Sequence, residues 1–205
     1  MKKVLILGAG LVSKPMVEYL LEEGFQVIIA TRTKDKADKL LSGHPNGKTV
    51  AWVTEDMDSL SAMIRDSDLT VSLLPYRYHV DVAKLCLTHR KPLVTTSYVS
   101  PAMQALHDEA VKAGVIFLNE VGLDPGIDHM SAMRIIDNVH KHGGKIEEFY
   151  SLCGALPAPE AINNPMGYKF SWSPKGVVLA SRNGATYLKH NKTVTIPPID
   201  LFKDR

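Results

Sequence analysis

The sequence has only two cysteines, Cys86 and Cys153, in 205 residues. They lie far apart and lack CxxC spacing, which argues against a disulfide framework or a structural zinc site. No apolar run approaches the roughly 20 residues needed to span a bilayer. Met1-Lys2-Lys3-Val4 has the basic start of a signal peptide, but Gly8-Ala9-Gly10 interrupts the apolar stretch that would follow. A charge excess is missing too: 24 Lys and Arg face 22 Asp and Glu, a net of +2, so nothing points to a nucleic-acid partner. These absences leave an ordinary globular protein with no membrane partner, expected in the cytoplasm. Its length suits one good-sized domain, or one domain plus part of a second.

What is present is alternation. Short apolar, β-branched runs at 3–7, 26–31, 49–53, 69–72, 92–95 and 115–118 read as strands. Helical patterns at about 13–23, 35–41, 59–65, 79–88 and 101–112 lie between them, with Pro15 falling in a first turn and Ser100-Pro101 supplying a cap and first-turn pair. Strands alternating with helices predict an α/β fold, a doubly wound parallel (Rossmann) sheet covered on both faces. Ligands in such sheets sit beyond the carboxyl ends of the strands. The candidate binding loops are therefore 8–12, 31–33, 73–78, 96–100 and 120–128.

The first of these loops reads Gly8-Ala9-Gly10-Leu11-Val12-Ser13, between a strand and a helix. Gly8 permits the tight turn, and Gly10 lets the backbone approach a pyrophosphate at the helix N-terminus. The third glycine of the usual dinucleotide pattern is replaced by Ser13, which is still small. A second absence concerns the end of the second strand, where an NAD site usually carries an Asp or Glu. Here Thr31-Arg32-Thr33-Lys34 offers no acid until Asp35. Arg32 can face a 2′-phosphate with its planar fork, flanked by two hydroxyls, which favours NADP over NAD. The competing reading makes Arg32 a solvated loop residue.

Gly122-Leu-Asp-Pro-Gly-Ile-Asp-His129 puts two carboxylates and an imidazole on a stiff backbone before a helical pattern at 130–140. Asp124 precedes a proline and is pushed toward extended geometry, and Gly126 allows a tight turn. Asp128 reads mainly as the helix N-cap. Asp124 is either a site residue or the anchor of an Asx-turn. Beyond residue 145 the period changes: 146–153 reads as a strand, and 154–167 as a long loop rich in Pro, Asn and Gly. A loop of that length without regular structure is usually functional or disordered. The aromatics of Tyr168-Lys-Phe-Ser-Trp-Ser-Pro174 argue that it is ordered. A hairpin-like stretch follows at 187–196. His140 and His142 flank glycines at a helix end, and no metal is assigned.

Together these motifs resemble the saccharopine dehydrogenase family, in its NADP-dependent, L-glutamate-forming branch. The resemblance rests on Gly8-Ala-Gly-Leu-Val12, Ala30-Thr-Arg-Thr33, Ser72-Leu-Leu-Pro-Tyr76, Thr95-Thr-Ser-Tyr-Val-Ser-Pro101 and Asn119-Glu-Val-Gly-Leu-Asp-Pro-Gly-Ile-Asp-His129. It continues through Cys153-Gly-Ala-Leu-Pro-Ala-Pro-Glu160 and Asn164-Pro-Met-Gly-Tyr-Lys-Phe-Ser-Trp-Ser173. It implies an NADP-binding domain over 1–121 and the start of a second, α+β substrate domain over 122–205.

Residue by residue, the resemblance implies cofactor contacts at Gly8, Ala9, Gly10, Leu11 and Val12, and at Thr31, Arg32 and Thr33. Leu74, Pro75, Tyr76, Thr96 and Ser97 match loops on the nicotinamide side. Leu123, Pro125 and Gly126 are further cofactor contacts, and Ser171, Trp172 and Ser173 match a loop that closes over the ligands. Ser97, Tyr98 and Asp124 are implied substrate contacts. Asp124 and Cys153 are the implied catalytic candidates, although Cys153 also reads as a buried strand cysteine. Val53 departs from the family, whose members often carry Asp after the third strand. Relatives continue for roughly another domain's length, with an arginine that grips substrate carboxylate, so the second domain reads as C-terminally truncated.

The implied reaction is saccharopine, NADP and water giving allysine, L-glutamate and NADPH, or its reverse, in lysine metabolism. Proton transfers accompany it, so a group with its pKa tuned toward working pH is useful. A partly desolvated Asp124 fits that need. Two other readings stand beside this one: a truncated module that holds NADP without turnover, and a carboxyspermidine-type dehydrogenase, against which the Thr-Ser-Tyr and Asp-Pro-Gly motifs speak. Small molecules are the expected partners, and a homodimer is left open as an assembly.

Overall fold

Apolar side chains alternate along the first strand, β1 (Lys3–Leu7), so that Leu5 and Leu7 enter one core while Val4 and Ile6 enter another. A strand buried on both faces belongs at the centre of a covered parallel sheet. The computed structural model, which describes every residue except Ala155, Ser181, Phe202, Asp204 and Arg205, places it there. The other strands are β2 (Gln26–Thr31), β3 (Gly47–Ala51), β4 (Leu69–Ser72), β5 (Leu93–Thr95) and β6 (Phe117–Leu118). They form a six-stranded parallel sheet in the order β3-β2-β1-β4-β5-β6. The chain reverses direction of progress between β1 and β4, which opens the crevice where doubly wound sheets bind ligands.

Helices α1 (Lys14–Glu22) and α2 (Lys34–Leu41) cover one face, where Val17, Leu21, Ala37 and Leu41 pack on Val4, Ile6, Val27 and Ile29. Helices α3 (Met57–Arg65), α4 (His79–Thr88) and α5 (Pro101–Gln104), with Leu106 just before α6 (His107–Ala113), contribute to the opposite core, in which Leu60, Ile64, Val82 and Met103 surround Leu5 and Leu7. The register aligns Leu7 with Ala30 and Ser72, and Ser72 with Thr95. The loops that follow these strands therefore emerge side by side at one edge of the sheet.

Several local expectations are corrected. The helix expected over 101–112 is two, because Leu106 N–H bonds to the Met103 carbonyl at 3.1 Å and tightens the chain there. That tightening sends both Met103 and Leu106 inward. The third strand lies two residues earlier than expected, and the sixth is cut to Phe117–Leu118. The helix expected at 130–140 begins earlier, as α7 (Ile127–Lys141), and α8 (Pro174–Ala180) had no sequence forecast. Residues 146–153 form no strand, since no described strand lies beside them to take their backbone hydrogen bonds, and Phe149, Tyr150 and Leu152 are exposed.

The chain divides into two compact units, Met1–Gly154 and Ala155–Arg205. The second holds α8 and an antiparallel hairpin of β7 (Ala185–Lys189) and β8 (Lys192–Ile196). His190 and Asn191 turn it with φ of 49° and 59°, as a two-residue hairpin loop needs.

Candidate active site

The loops on the β1–β2 side of the crevice are built largely from backbone and small residues. Gly8 has φ of 109°, and its N–H bonds to the Ala30 carbonyl at 2.9 Å, tying the turn to the neighbouring strand. A Cβ added at Gly10 would meet nothing within 4 Å, so the backbone there faces open space. Ser13 is buried, and its hydroxyl donates to the Gly10 carbonyl at 2.8 Å, doing by hydrogen bond what a third glycine does by smallness. Leu11 and Val12 are exposed despite being apolar. Arg32 is exposed, with no hydrogen bond or ion pair among the described residues. Thr31 and Thr33 flank it, and the Thr33 N–H reaches the Thr31 hydroxyl at 3.4 Å. An open cradle beside a free guanidinium is a fit receptacle for a phosphorylated dinucleotide.

Beside this crevice a cavity of about 220 Å³ is lined by Trp52, Thr54, Met57, Leu60, Leu74, Tyr78, Asp81 and Val82. Leu74 lies in its wall, while Pro75 and Tyr76 stand exposed on the adjoining turn. Val53 is also exposed.

The loops after β5 and β6 are different in kind, because they are tied to one another. Glu120 N–H donates to the Ser97 carbonyl at 3.2 Å, and Val121 N–H to the Thr95 carbonyl at 3.1 Å. The Thr95 hydroxyl donates to Asn119 Oδ1 at 3.1 Å, and Val99 N–H to Glu120 Oε1 at 2.9 Å. Beneath them His79 is buried, with Nδ1 3.0 Å from the Ser72 hydroxyl and Nε2 2.9 Å from the Ser97 hydroxyl. Burial pushes the His79 ring down to about 4, so it is neutral at ordinary pH. Thr96 packs against Gly122, where an added Cβ would lie 3.4 Å from the Thr96 Cβ.

The Asp-Pro-Gly turn closes on itself. Gly122 N–H donates to the Pro125 carbonyl at 2.9 Å, and Ile127 N–H to the Gly122 carbonyl at 2.9 Å. The Asp124–Pro125 peptide is cis, Pro125 and Gly126 are buried, and Gly126 has φ of 153°. A side chain at Gly126 would overlap the Gly122 backbone. Tyr98 Oη donates to Asp124 Oδ1 at 2.6 Å. That bond to the carboxylate, then partial burial and the charges of Asp124, Asp128 and Glu120, push the Tyr98 phenol up to about 12. The Cys153 thiol faces the same carboxylates; loss of solvent and then the Asp124 and Asp128 charges hold it above its usual value.

Three expectations are revised here. Asp124 is exposed rather than desolvated. Cys153 is exposed and outside any strand, which removes the buried-strand reading. Asp128 is not the N-cap, a position held by Gly126, but lies inside the first turn. Its Oδ1 accepts from Gly126 N–H at 3.0 Å and lies 2.6 Å from His129 Nδ1. Loss of solvent raises Asp128, yet the hydrogen bonds from His129 and Gly126 outweigh it and hold the carboxyl below the usual range. Donor atoms of Asp124, Asp128 and His129 lie within 4.8 Å of one another, an arrangement a cation could occupy. Tyr98, Gly126 and His129 already supply partners to both carboxylates.

Ser97, Tyr98, Leu123, Asp124 and Cys153 thus all belong to the first unit, and Tyr98, Asp124 and Cys153 converge. Ser171, Trp172 and Ser173 belong to the second and are exposed. There Ser173 Oγ accepts from Gly176 N–H at 3.2 Å and so caps α8, while the Trp172 ring lies against Gly176. Phe170 meets Tyr168 edge-on at 5.6 Å. Sequence reading did not single out Glu120, whose left-handed backbone carries no motif.

The fold and its edge loops define a doubly wound α/β protein with its candidate site at the carboxyl ends of the strands. A sequence model described as the saccharopine dehydrogenase NADP binding domain matches residues 4–118, and the saccharopine dehydrogenase C-terminal domain matches 122–205. The chain belongs to the saccharopine dehydrogenase family.

It is 48% identical over 204 residues to saccharopine dehydrogenase [NADP(+), L-glutamate-forming] of Schizosaccharomyces pombe, covering 99% of this chain and 45% of that protein. It is 39% identical over 212 residues to the mitochondrial alpha-aminoadipic semialdehyde synthase of Bos taurus, covering 98% of this chain and 23% of that one. The solved apo saccharopine dehydrogenase (L-Glu forming) of Saccharomyces cerevisiae superposes with a TM-score of 0.85 at 44% identity, over 100% of this chain and 46% of that one. The chain spans about 45% of the length of the curated fungal relatives it matches.

Proposed function

We propose that this chain carries the NADP site and the adjoining part of the reaction centre of an L-glutamate-forming saccharopine dehydrogenase. The reaction would be saccharopine, NADP and water giving allysine, L-glutamate and NADPH, reversibly. The observation that carries this reading is the Tyr98–Asp124 hydrogen bond, 2.6 Å long, on the same sheet edge as the glycine turn.

In this reading Gly8, Ala9, Gly10, Leu11 and Val12 hold the pyrophosphate, and Arg32 with Thr31 and Thr33 holds the 2′-phosphate. The mostly apolar cavity lined by Trp52, Leu74 and Tyr78 suits a purine. Pro75, Tyr76, Thr96 and Ser97, with Leu123, Pro125 and Gly126, border the nicotinamide. When bound, the nicotinamide supplies or accepts the hydride.

The residues of this chain manage protons. Saccharopine's secondary amine must lose its proton before its carbon gives up hydride, and Asp124 is the carboxylate offered for that task. Tyr98 keeps its own proton, because losing it would set a phenolate against that carboxylate. Ser97, steadied by neutral His79, offers a hydroxyl to the substrate. The Cys153 thiol, held protonated by its neighbours, is a weak donor at the same point.

The domain division at residue 121, small-molecule partners and a cytoplasmic location belong to this reading. No described helix is long and apolar enough to cross a membrane. The exposure of Asp124 favours one other reading, a module that holds NADP without turnover. Mixing the 205-residue chain with NADPH, allysine and glutamate separates the two: absorbance loss at the NADPH band supports the enzyme, and tight binding without loss supports the module.

A further inference from the structure

Glu120 stands where the backbone would suit glycine. Its φ is 62°, a left-handed conformation that residues with a Cβ adopt rarely. A glycine there would relax the chain, so the presence of a carboxylate calls for a reason in the side chain. Its N–H donates to the Ser97 carbonyl at 3.2 Å, and its Oε1 accepts from Val99 N–H at 2.9 Å. The residue between Ser97 and Val99 is Tyr98.

Tyr98 is 62% exposed, so packing does little to orient its ring, although its hydroxyl meets Asp124 at 2.6 Å. A hydrogen bond between exposed groups competes with water and does not hold a ring by itself. Orientation must come from the backbone that carries the ring. Gripping the residue on each side fixes the Cα–Cβ direction of the one between them, and Val121 N–H on the Thr95 carbonyl keeps the gripping loop in place.

We propose that Glu120 is a positioning residue: holding the chain on both sides of Tyr98, it sets the phenol on the Asp124 carboxylate. The functional meaning of this placement rests on the proposed reaction, whereas the placement itself does not.

The test uses the whole chain with labelled tyrosine, the Tyr98 resonance being identified by its loss in Tyr98→Phe. In the parent protein the Tyr98 phenol should stay protonated through pH 11, with sheet amides confirming the fold at each step. In Glu120→Ala it should ionise near 10, as an ordinary tyrosine does. Exchange of the Val99 amide should accelerate at least about tenfold, the equivalent of one lost hydrogen bond. Glu120→Gly, with a relaxed backbone and no side-chain hold on Val99, should behave as the alanine variant does, which guards against a misfolded result. Glu120→Gln keeps an acceptor without the charge and should titrate close to the parent, lowered only by loss of the Glu120 charge, the smallest of the causes that raise Tyr98.

An alanine variant in which Tyr98 titrates as in the parent overturns the proposal. So does a glutamine variant that ionises as early as alanine, because charge and not grip would then be the cause. Failure of the proposed reaction is read separately: absence of NADPH oxidation by the parent chain removes the reaction, unchanged oxidation in Asp124→Asn removes the role given to Asp124, and either result leaves the titrations standing.

Discussion

The two sides of the binding edge are built on opposite plans. On the β1–β2 side, around Gly8, Gly10 and Arg32, the surface is backbone, with a cationic side chain that has no partner among the described residues. On the β5–β6 side, around Ser97, Tyr98 and Asp124, side chains are already committed to one another across segments distant in sequence. The first side offers groups that a ligand must satisfy, whereas the second has its geometry set before a ligand arrives. Binding strength should therefore respond most to changes on the first side, and stability most to changes on the second.

The strongest attempt to break that contrast is Gly126→Ala. Its methyl would overlap the Gly122 backbone at a φ of 153°, so unfolding stability should fall by on the order of 3 kcal/mol. A denaturant midpoint equal to that of the parent would show the turn to be adaptable, and the contrast would lose half its basis.

Nearly as large is the acid response of His79. Its folded value of about 4 lies below the unfolded value near 6.5, so the neutral bridge is fully present above 6.5 and is lost as pH falls toward 4. About 3 kcal/mol should disappear across that window, and His79→Gln should remove this component of the slope. Parallel pH–stability curves for the two proteins would refute it.

Arg32→Ala probes the other side. Loss of a charge-assisted contact should weaken NADPH binding about 30-fold, with little effect on NADH or on the unfolding midpoint. Equal losses for both nucleotides, measured by titration calorimetry, would contradict a 2′-phosphate role. The smallest effect is expected for Ser13→Ala, which loses the 2.8 Å bond to Gly10 and should cost about 1 kcal/mol, seen as a small drop in Tm. If it cost as much as Gly126→Ala, the first side would be as tightly built as the second.

Sequence reading succeeded where the physics is local. The glycine turn, Pro15 in the first turn of α1 and the Ser100 cap, which accepts from Met103 N–H at 3.2 Å, are all settled within a few residues. It failed where a partner decides. Residues 146–153 have strand composition, but a strand exists only beside another, and none is there among the described residues. Asp128 resembles a cap by type, while the actual cap position fell to Gly126 because the turn before it closes on Gly122. The bonds of His79 to Ser97 and of Glu120 to Val99 span 18 and 21 residues, and no periodicity announces them. For this reason the resemblance could nominate Ser97, Tyr98 and Asp124 but not the residues that hold them.

The sheet order has a consequence for synthesis. β1 acquires β2 as its first neighbour within a short stretch of chain, yet its second neighbour, β4, is complete only at residue 72. At roughly 5–20 residues per second, the ribosome leaves β1 and its four buried apolar residues with a bare flank for several seconds. During that interval the nascent chain is open to capture by other unpaired strands. Slowing translation between β2 and β4 should therefore lower the soluble yield, whereas a pause after residue 118 should not.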